Sequence, residues 1–185
     1  MGPASLYLLI SNGVVFVPHR ETPPVSTFLE SQTGAAYTTT RTHDNGRCVL
    51  LWDRHLRRLS DSARILFGSS DPFHVSSLVN ASLSAVLALA RPPGEGEELA
   101  ITAVLKQGDE VHVHLGPYAP RAGWARLAMV GPGRDLPHAK YSDWVRLRKP
   151  LEQFRPPSVT ELLLSHDGDR VLEGCVTNFF VVSLK

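Results

Sequence analysis

Two helix-period segments, separated only by Gly68-Ser-Ser-Asp-Pro72, limit more than any other feature what this chain can fold into. From Arg54 to Phe67, Leu56, Leu59, Ala63 and Leu66 recur at helical spacing and make one apolar stripe. Asp53 stands where an N-cap belongs, and Gly68 suits the C-terminal stop. Asp71-Pro72 restarts a helix with proline at its first position. Val75, Leu78, Val79, Val86 and Leu89 give this second helix a buried face, and Arg91-Pro-Pro-Gly94 ends it. A helix with one apolar stripe must lay it on another layer. The flanking sequence supplies that layer as short β-type runs.

Leu6–Ile10 and Val14–Val17 flank Ser11-Asn-Gly, which predicts a hairpin, and Pro18–Pro24 predicts a loop. Tyr37-Thr-Thr-Thr-Arg41 is aromatic and β-branched, hence a strand. His43-Asp-Asn-Gly-Arg47 turns the chain back into a strand over Cys48–Trp52. Leu99–Leu105 and Val111–Leu115 predict an antiparallel pair around Lys106–Glu110, and Pro117–Gly123 is the linker. Beyond it come a strand over Ala125–Val130, a loop over Gly131–Pro137 and a helix over Val145–Phe154 that Pro150 interrupts. Strands over Glu161–Leu164, Val171–Leu172 and Asn178–Leu184 follow, around an Asp167-Gly168 turn. The order predicts an α+β fold: a small N-terminal α/β domain over residues 1–120, then the start of a second domain over residues 121–185. The strand-like run at Phe179–Lys185 makes the second domain look truncated.

Of the 185 residues, 43% are hydrophobic and 20% charged, the balance of a folded globular chain. Nineteen Lys and Arg against 18 Asp and Glu leave a net charge of +1, which argues against a large basic face for nucleic acid. Two cysteines, Cys48 and Cys175, make no disulfide framework. The first ten residues hold a brief apolar run without a basic segment before it, so no signal or transit peptide is seen. No uninterrupted apolar stretch approaches the roughly 20 residues of a membrane span. The expected location is therefore cytoplasmic by default, with no membrane partner.

His112 and His114 alternate with Val111, Val113 and Leu115, which predicts a solvated polar face; with no third ligand in view, no metal is expected. Gly131-Pro-Gly133 is a turn, because the third glycine and the following helix of a dinucleotide loop are missing. Arg146-Leu-Arg-Lys149 is a solvated helix face. Three other features carry chemistry. Arg58, in His55-Leu-Arg-Arg-Leu59, lies near a helix start, where its fork can clamp a phosphate or carboxylate. Lys140, in Leu136-Pro-His-Ala-Lys-Tyr141, is an amine that can attack a carbonyl carbon. Glu173 sits in an apolar run, Leu172-Glu-Gly-Cys-Val-Thr-Asn-Phe-Phe180, where a carboxylate needs a cationic partner or a protonated ring nitrogen. Singly, these are a solvated arginine, a surface lysine and a salt bridge.

Together, in this order and with 33 residues between Lys140 and Glu173, they resemble the fold-type IV pyridoxal-phosphate enzymes. That family holds branched-chain and D-amino-acid aminotransferases and aminodeoxychorismate lyase, and the resemblance runs from about Leu6 to Lys185. It implies pyridoxal 5'-phosphate as cofactor, Lys140 as the Schiff-base lysine and proton shuttle, Glu173 facing the pyridine nitrogen, and Arg58 gripping the phosphate. It implies a substrate-facing strand as well. With a period of two, Tyr37, Thr39 and Arg41 share a face, and Arg41 would take a substrate carboxylate. Thr-Thr-x-Arg looks closer to aminodeoxychorismate lyase than to the branched-chain enzymes. The activity implied is aminotransferase or lyase chemistry on a small amino substrate bearing a carboxylate, in a homodimer. The chain departs from its relatives at Asp143, where many carry asparagine, at Val145, where some carry tyrosine, and in stopping soon after Asn178. A truncated, non-catalytic isoform or remnant of such an enzyme is the alternative.

Overall fold

The computed structural model describes residues 6–11, 14–16, 23–68, 71–89, 94–120 and 123–182. The Asn12-Gly13 turn, most of the Pro18–Pro24 loop, residues 91–93 and the last three residues lie outside the described residues. The chain forms two compact units, residues 1–120 with 138–143, and residues 121–137 with 144–185.

In the first unit β1 (Leu6–Ser11) and β2 (Val14–Phe16) form the expected hairpin, Leu9 opposite Phe16. Helix α1 (Val25–Ser31) follows, then β3 (Ala36–His43) and β4 (Cys48–Val49). Helices α2 (Trp52–Phe67) and α3 (Pro72–Leu89) precede β5 (Leu99–Leu105) and β6 (Val111–Pro117). The strands make one six-stranded sheet in the order β2-β1-β6-β5-β3-β4, antiparallel throughout. Alternation divides its side chains. Thr38 pairs with Ala103 and Ala103 with Val113, so one face carries these residues with Ile101 and Leu115. That face packs against Leu56, Leu59, Ala63, Val75, Val79 and Val86 of the two helices. Each such aliphatic side chain, fully buried, contributes about 1.5–3 kcal/mol. The opposite face carries Tyr37, Thr39, Arg41, Thr102, Val104, His112 and His114.

Several expectations are corrected. Asp53 does not cap α2: the helix begins at Trp52, and Leu51, at φ 49°, occupies the cap position without a side-chain hydrogen bond. Asp53 sits instead in the first turn, where its charge favours the helix dipole. This early start cuts the predicted Cys48–Trp52 strand to two residues. Gly68 ends α2 at φ 80°, as its type predicts. In α3, Leu89, expected on the buried face, is exposed at the helix end, and Leu83 is buried. By length and composition α3 would also suit a membrane span, although Val75, Val79, Leu83 and Val86 are packed in the core.

Helix α1 was not expected. It has seven residues and no side-chain cap, and burial of Phe28 and Leu29 holds it in place of any strong local signal. It accounts for a second correction. The His112–His114 face is not solvated, since both side chains are buried. The Phe28 ring stacks on His114 at 5.3 Å, and His114 Nε2 donates to the Pro23 carbonyl. His112 donates to the Glu110 carboxylate. No group of three potential metal ligands occurs among the described residues.

In the second unit β7 (Leu127–Val130) runs parallel to β8 (Glu161–Leu164), and β9 (Glu173–Gly174) runs antiparallel to β8. Parallel neighbours need a crossover. Here it holds α4 (Asp143–Leu147) and α5 (Lys149–Gln153), with Pro150 in the first turn of α5, so the proline separates two short helices. Val171–Leu172 is not a strand; pairing begins at Glu173, although the Leu172 N–H already donates to the Leu164 carbonyl. Asn178–Val182 is not a strand either: no partner among the described residues completes a ladder with it.

Candidate active site

Lys140 belongs to the first unit, although it follows the linker in sequence. Hydrogen bonds explain why. The Tyr37 N–H donates to the Lys140 carbonyl at 2.9 Å, and the Ser142 N–H donates to the Ala35 carbonyl at 2.9 Å, so residues 140–142 add an edge segment beside β3. The Lys140 N–H donates to Ser62 Oγ of α2 at 3.0 Å, and Ser62 Oγ donates to the Arg58 carbonyl at 2.8 Å. Asp143 accepts from the Gly34 N–H at 3.0 Å. The backbone of Lys140 is thus held on its N–H side by a helix and on its C=O side by a strand. Its amine lies 5.0 Å from the centroid of the buried Tyr37 ring.

The strand β3 presents Tyr37, Thr39 and Arg41 on that same side. Tyr37 is buried, Arg41 half-buried and Thr39 exposed. Arg41 lies with its guanidinium 5.0 Å over the Tyr118 ring, and one of its N–H groups donates to the Thr42 carbonyl. A planar cation stacked on an aromatic ring is oriented and keeps further donors for a carboxylate. Thr38 points the other way, is 1% exposed, and its hydroxyl lies 2.7 Å from His55 Nδ1.

His55 opens α2 one turn before Arg58. Burial pushes its pKa below the ordinary histidine value, and the positive charges of Lys140, Arg58 and Arg54 lower it further. Arg58 is exposed and near enough to His55, as is Lys140, for its charge to be felt there. The first unit therefore holds the Lys140 amine against Tyr37 of β3 and presents Arg58 on the exposed side of α2.

Glu173 belongs to the second unit. Its carboxylate is gripped on both oxygens by Arg134: Nε donates at 2.7 Å, and Nη2 donates to the other oxygen. Arg134 also donates to the Pro137 carbonyl and lies 5.7 Å over the Trp144 ring. Trp144 is fixed in turn by a 2.8 Å bond from its Nε1 to the Cys175 carbonyl. The salt bridge expected of a buried carboxylate is present, and a forked guanidinium still leaves each carboxylate oxygen a lone pair. Gly174 follows because nothing larger fits: a Cβ there would stand 2.1 Å from the Thr177 carbonyl oxygen. Burial pushes the Cys175 thiol up to about 11, which makes it a packing group and not a nucleophile.

Arg134, His55, Thr38 and Ser62 are absent from the sequence-based set of site residues. Arg134 stands in a Gly-Pro-Gly loop that signals only a turn, and the partner of Glu173 lies 39 residues away in sequence. His55 is part of the His55-Leu-Arg-Arg-Leu59 motif, but its hydroxyl partner comes from another element.

No protein-family model and no curated protein sequence matches the chain. Solved structures do. A protein assigned as a 4-amino-4-deoxychorismate lyase is similar over 90% of this chain, at 23% identity and a TM-score of 0.57. A hypothetical aminotransferase from Mycobacterium tuberculosis in its PLP-bound form is similar over 91%, at 16% identity and a TM-score of 0.63. A fold IV transaminase from Curtobacterium pusillum is similar over 92%, at 13% identity and a TM-score of 0.62. The chain spans 65% of the length of the first two proteins and 67% of the third. Its mixed α and β architecture, with the strand order and helix placement described above, is the fold of the fold-type IV pyridoxal-phosphate enzymes.

Proposed function

We propose that this chain is part of a pyridoxal-phosphate-dependent enzyme that acts on a small amino substrate bearing a carboxylate, as an aminotransferase or an aminodeoxychorismate lyase-like enzyme. The observation that carries the reading is the anchoring of Lys140. A surface lysine has no need of hydrogen bonds from its backbone to both a strand and a helix, beside a buried tyrosine ring.

In this reading Lys140 and Arg58 hold the cofactor, Lys140 through its amine and Arg58 at the phosphate, while Glu173 faces the ring nitrogen. When bound, the cofactor supplies a carbonyl that condenses with amines and a ring that withdraws electrons from the substrate. The residues of the chain do the rest. Lys140 Nζ, once displaced by the substrate amine, is the group that moves a proton. Tyr37, against which that amine rests, orients it and excludes water from one side. Arg41 takes the substrate carboxylate with donors that the Thr42 carbonyl does not use, and Thr39 lines the same face. Arg134 fixes the direction of the Glu173 carboxylate. The partner is a second copy of the chain.

The test is borohydride reduction of the protein with pyridoxal phosphate, followed by peptide mapping. The expected outcome is a covalent label on Lys140, lost in Lys140→Ala together with the visible absorption band. Labelling of other lysines with Lys140 untouched overturns the reading. Glu173→Gln is expected to keep cofactor bound and to cut turnover by two orders of magnitude or more, on the order of an electrostatic site deletion.

A further inference from the structure

Glu173 stands on a short support. Strand β9 has two residues, lies at the edge of its sheet and pairs only with β8, Leu164 opposite Glu173 and Leu163 opposite Gly174. A functional side chain on so short an edge needs other partners to lock it. A closed ring of contacts supplies them, all within the second unit. Arg134 grips both oxygens of Glu173. The Arg134 guanidinium lies 5.7 Å over the Trp144 ring at the start of α4. Trp144 Nε1 donates at 2.8 Å to the carbonyl of Cys175, whose own N–H donates at 2.8 Å to the Leu162 carbonyl of β8. The contacts thus leave the chain at the Glu173 side chain and return to its backbone at Cys175. The Arg134 side chain is 9% exposed and Trp144 8%. A cation over an indole counts most where water is excluded from both.

We propose that Trp144 is a positioning residue for the Glu173 carboxylate: tied to the Cys175 backbone, its indole holds the Arg134 fork in one plane, and the fork holds the carboxylate in the direction that meets a ring N–H. This rests on the reading of Glu173 as the partner of the cofactor's ring nitrogen and deepens it. Trp144 touches neither cofactor nor substrate in this assignment. It acts through Arg134, so its removal is felt only by a ligand that presents an N–H to Glu173. Packing alone would require an apolar side chain of that size; it would require neither the bond from Nε1 nor the guanidinium on the ring face.

The test uses the full chain and two ligands: pyridoxal phosphate and its deaza analogue, in which a C–H stands where the ring nitrogen was. Affinities for both are read from absorbance titrations, with circular dichroism to show that each variant is folded. The wild type is expected to bind pyridoxal phosphate at least about tenfold more tightly than the analogue, because only the former gives Glu173 a charged hydrogen bond. Trp144→Phe, which keeps a ring and removes the N–H, is expected to narrow this gap by about threefold or more. Arg134→Lys keeps the charge without the fork and leaves the indole in place; it is expected to narrow the gap as well. The two changes together are expected to narrow it no further than the stronger one alone, since they act through one set of contacts. A gap that persists unchanged in Trp144→Phe, with both affinities falling alike, is the mark of a packing residue and overturns the proposal while leaving Glu173 its role. Should Trp144→Phe not fold, an unchanged gap in Arg134→Lys overturns it too. Equal affinities in the wild type, or binding of neither ligand, overturn the reading of Glu173 itself and the proposal with it.

Discussion

The ion pair of Glu173 with Arg134 is a test of what a covered carboxylate needs in order to stay charged. Arg134 is almost wholly buried, and its fork is matched to both oxygens of a carboxylate that is itself mostly covered. Removing one member leaves the other without compensation, a loss of about 3 kcal/mol for a pair of this kind, whereas removing both costs much less. Glu173→Ala is therefore expected to lower the urea midpoint clearly, and Arg134→Met with Glu173→Met to recover more than half of the loss. Additive single and double variants in a denaturation cycle would show that the pair is not coupled. Ser62 offers a second residue-level check. Ser62→Ala deletes a buried acceptor of the Lys140 N–H and leaves that donor unmade, a cost of about 1–3 kcal/mol. It is expected to slow the trapping of pyridoxal phosphate at Lys140 without removing the lysine, and an unchanged trapping rate counts against the anchoring argument.

At the scale of elements, what was legible in the sequence had a local cause. The hairpin, the two abutting helices and the β5–β6 pair follow from periodicity and turn residues, and Gly68 stops α2 as its freedom at positive φ predicts. Lys140, Glu173 and Arg58 stand out in the sequence only by their order and spacing, which is why their roles are proposals. What was not legible depends on distant partners. Seven residues of α1 carry no strong signal, because the helix is held by Phe28 against His114 of a strand more than 80 residues later. For the same reason the histidine face, polar by composition, is buried. This has a consequence for pH. Burial lowers the folded-state pKa of His112, His114 and His55, while the unfolded chain takes up protons near the ordinary value of about 6.5. At a pH between the two, the unfolded state binds more protons, so stability rises with pH. The contribution is complete above about pH 6.5 and is lost as pH falls through the lowered folded values. Glu98 and Glu110, with pKa values held down mainly by hydrogen bonds from Thr42 and His112, lose their share only at lower pH. Urea midpoints are therefore expected to fall between about pH 7.5 and 5.5, before any carboxylate titrates. A flat profile over that range would show that the histidines are not buried as neutral rings.

At the scale of the whole molecule the distribution of apolar surface matters more than the balanced charge of +1, which supplies little repulsion between copies. Phe180, Val181 and Val182 are 91%, 83% and 85% exposed and consecutive, in a segment with no ladder partner among the described residues. Trp124, also in the second unit, is 99% exposed. Isolated apolar residues on a surface are ordinary, but a run of three large exposed ones is a template for association. The 185-residue chain is accordingly expected to bind a hydrophobic dye in its folded state and to self-associate in sedimentation as its concentration rises. Phe180→Ser with Val182→Lys interrupts the run with a polar group and a charge, and touches none of the hydrogen bonds that hold Lys140 or Glu173. The double variant is expected to reduce dye binding and association several-fold while leaving the circular dichroism spectrum and the labelling of Lys140 as they were. If dye binding persists at the original level in the double variant, the exposed surface lies elsewhere; if labelling is lost with it, the segment takes part in holding the cofactor.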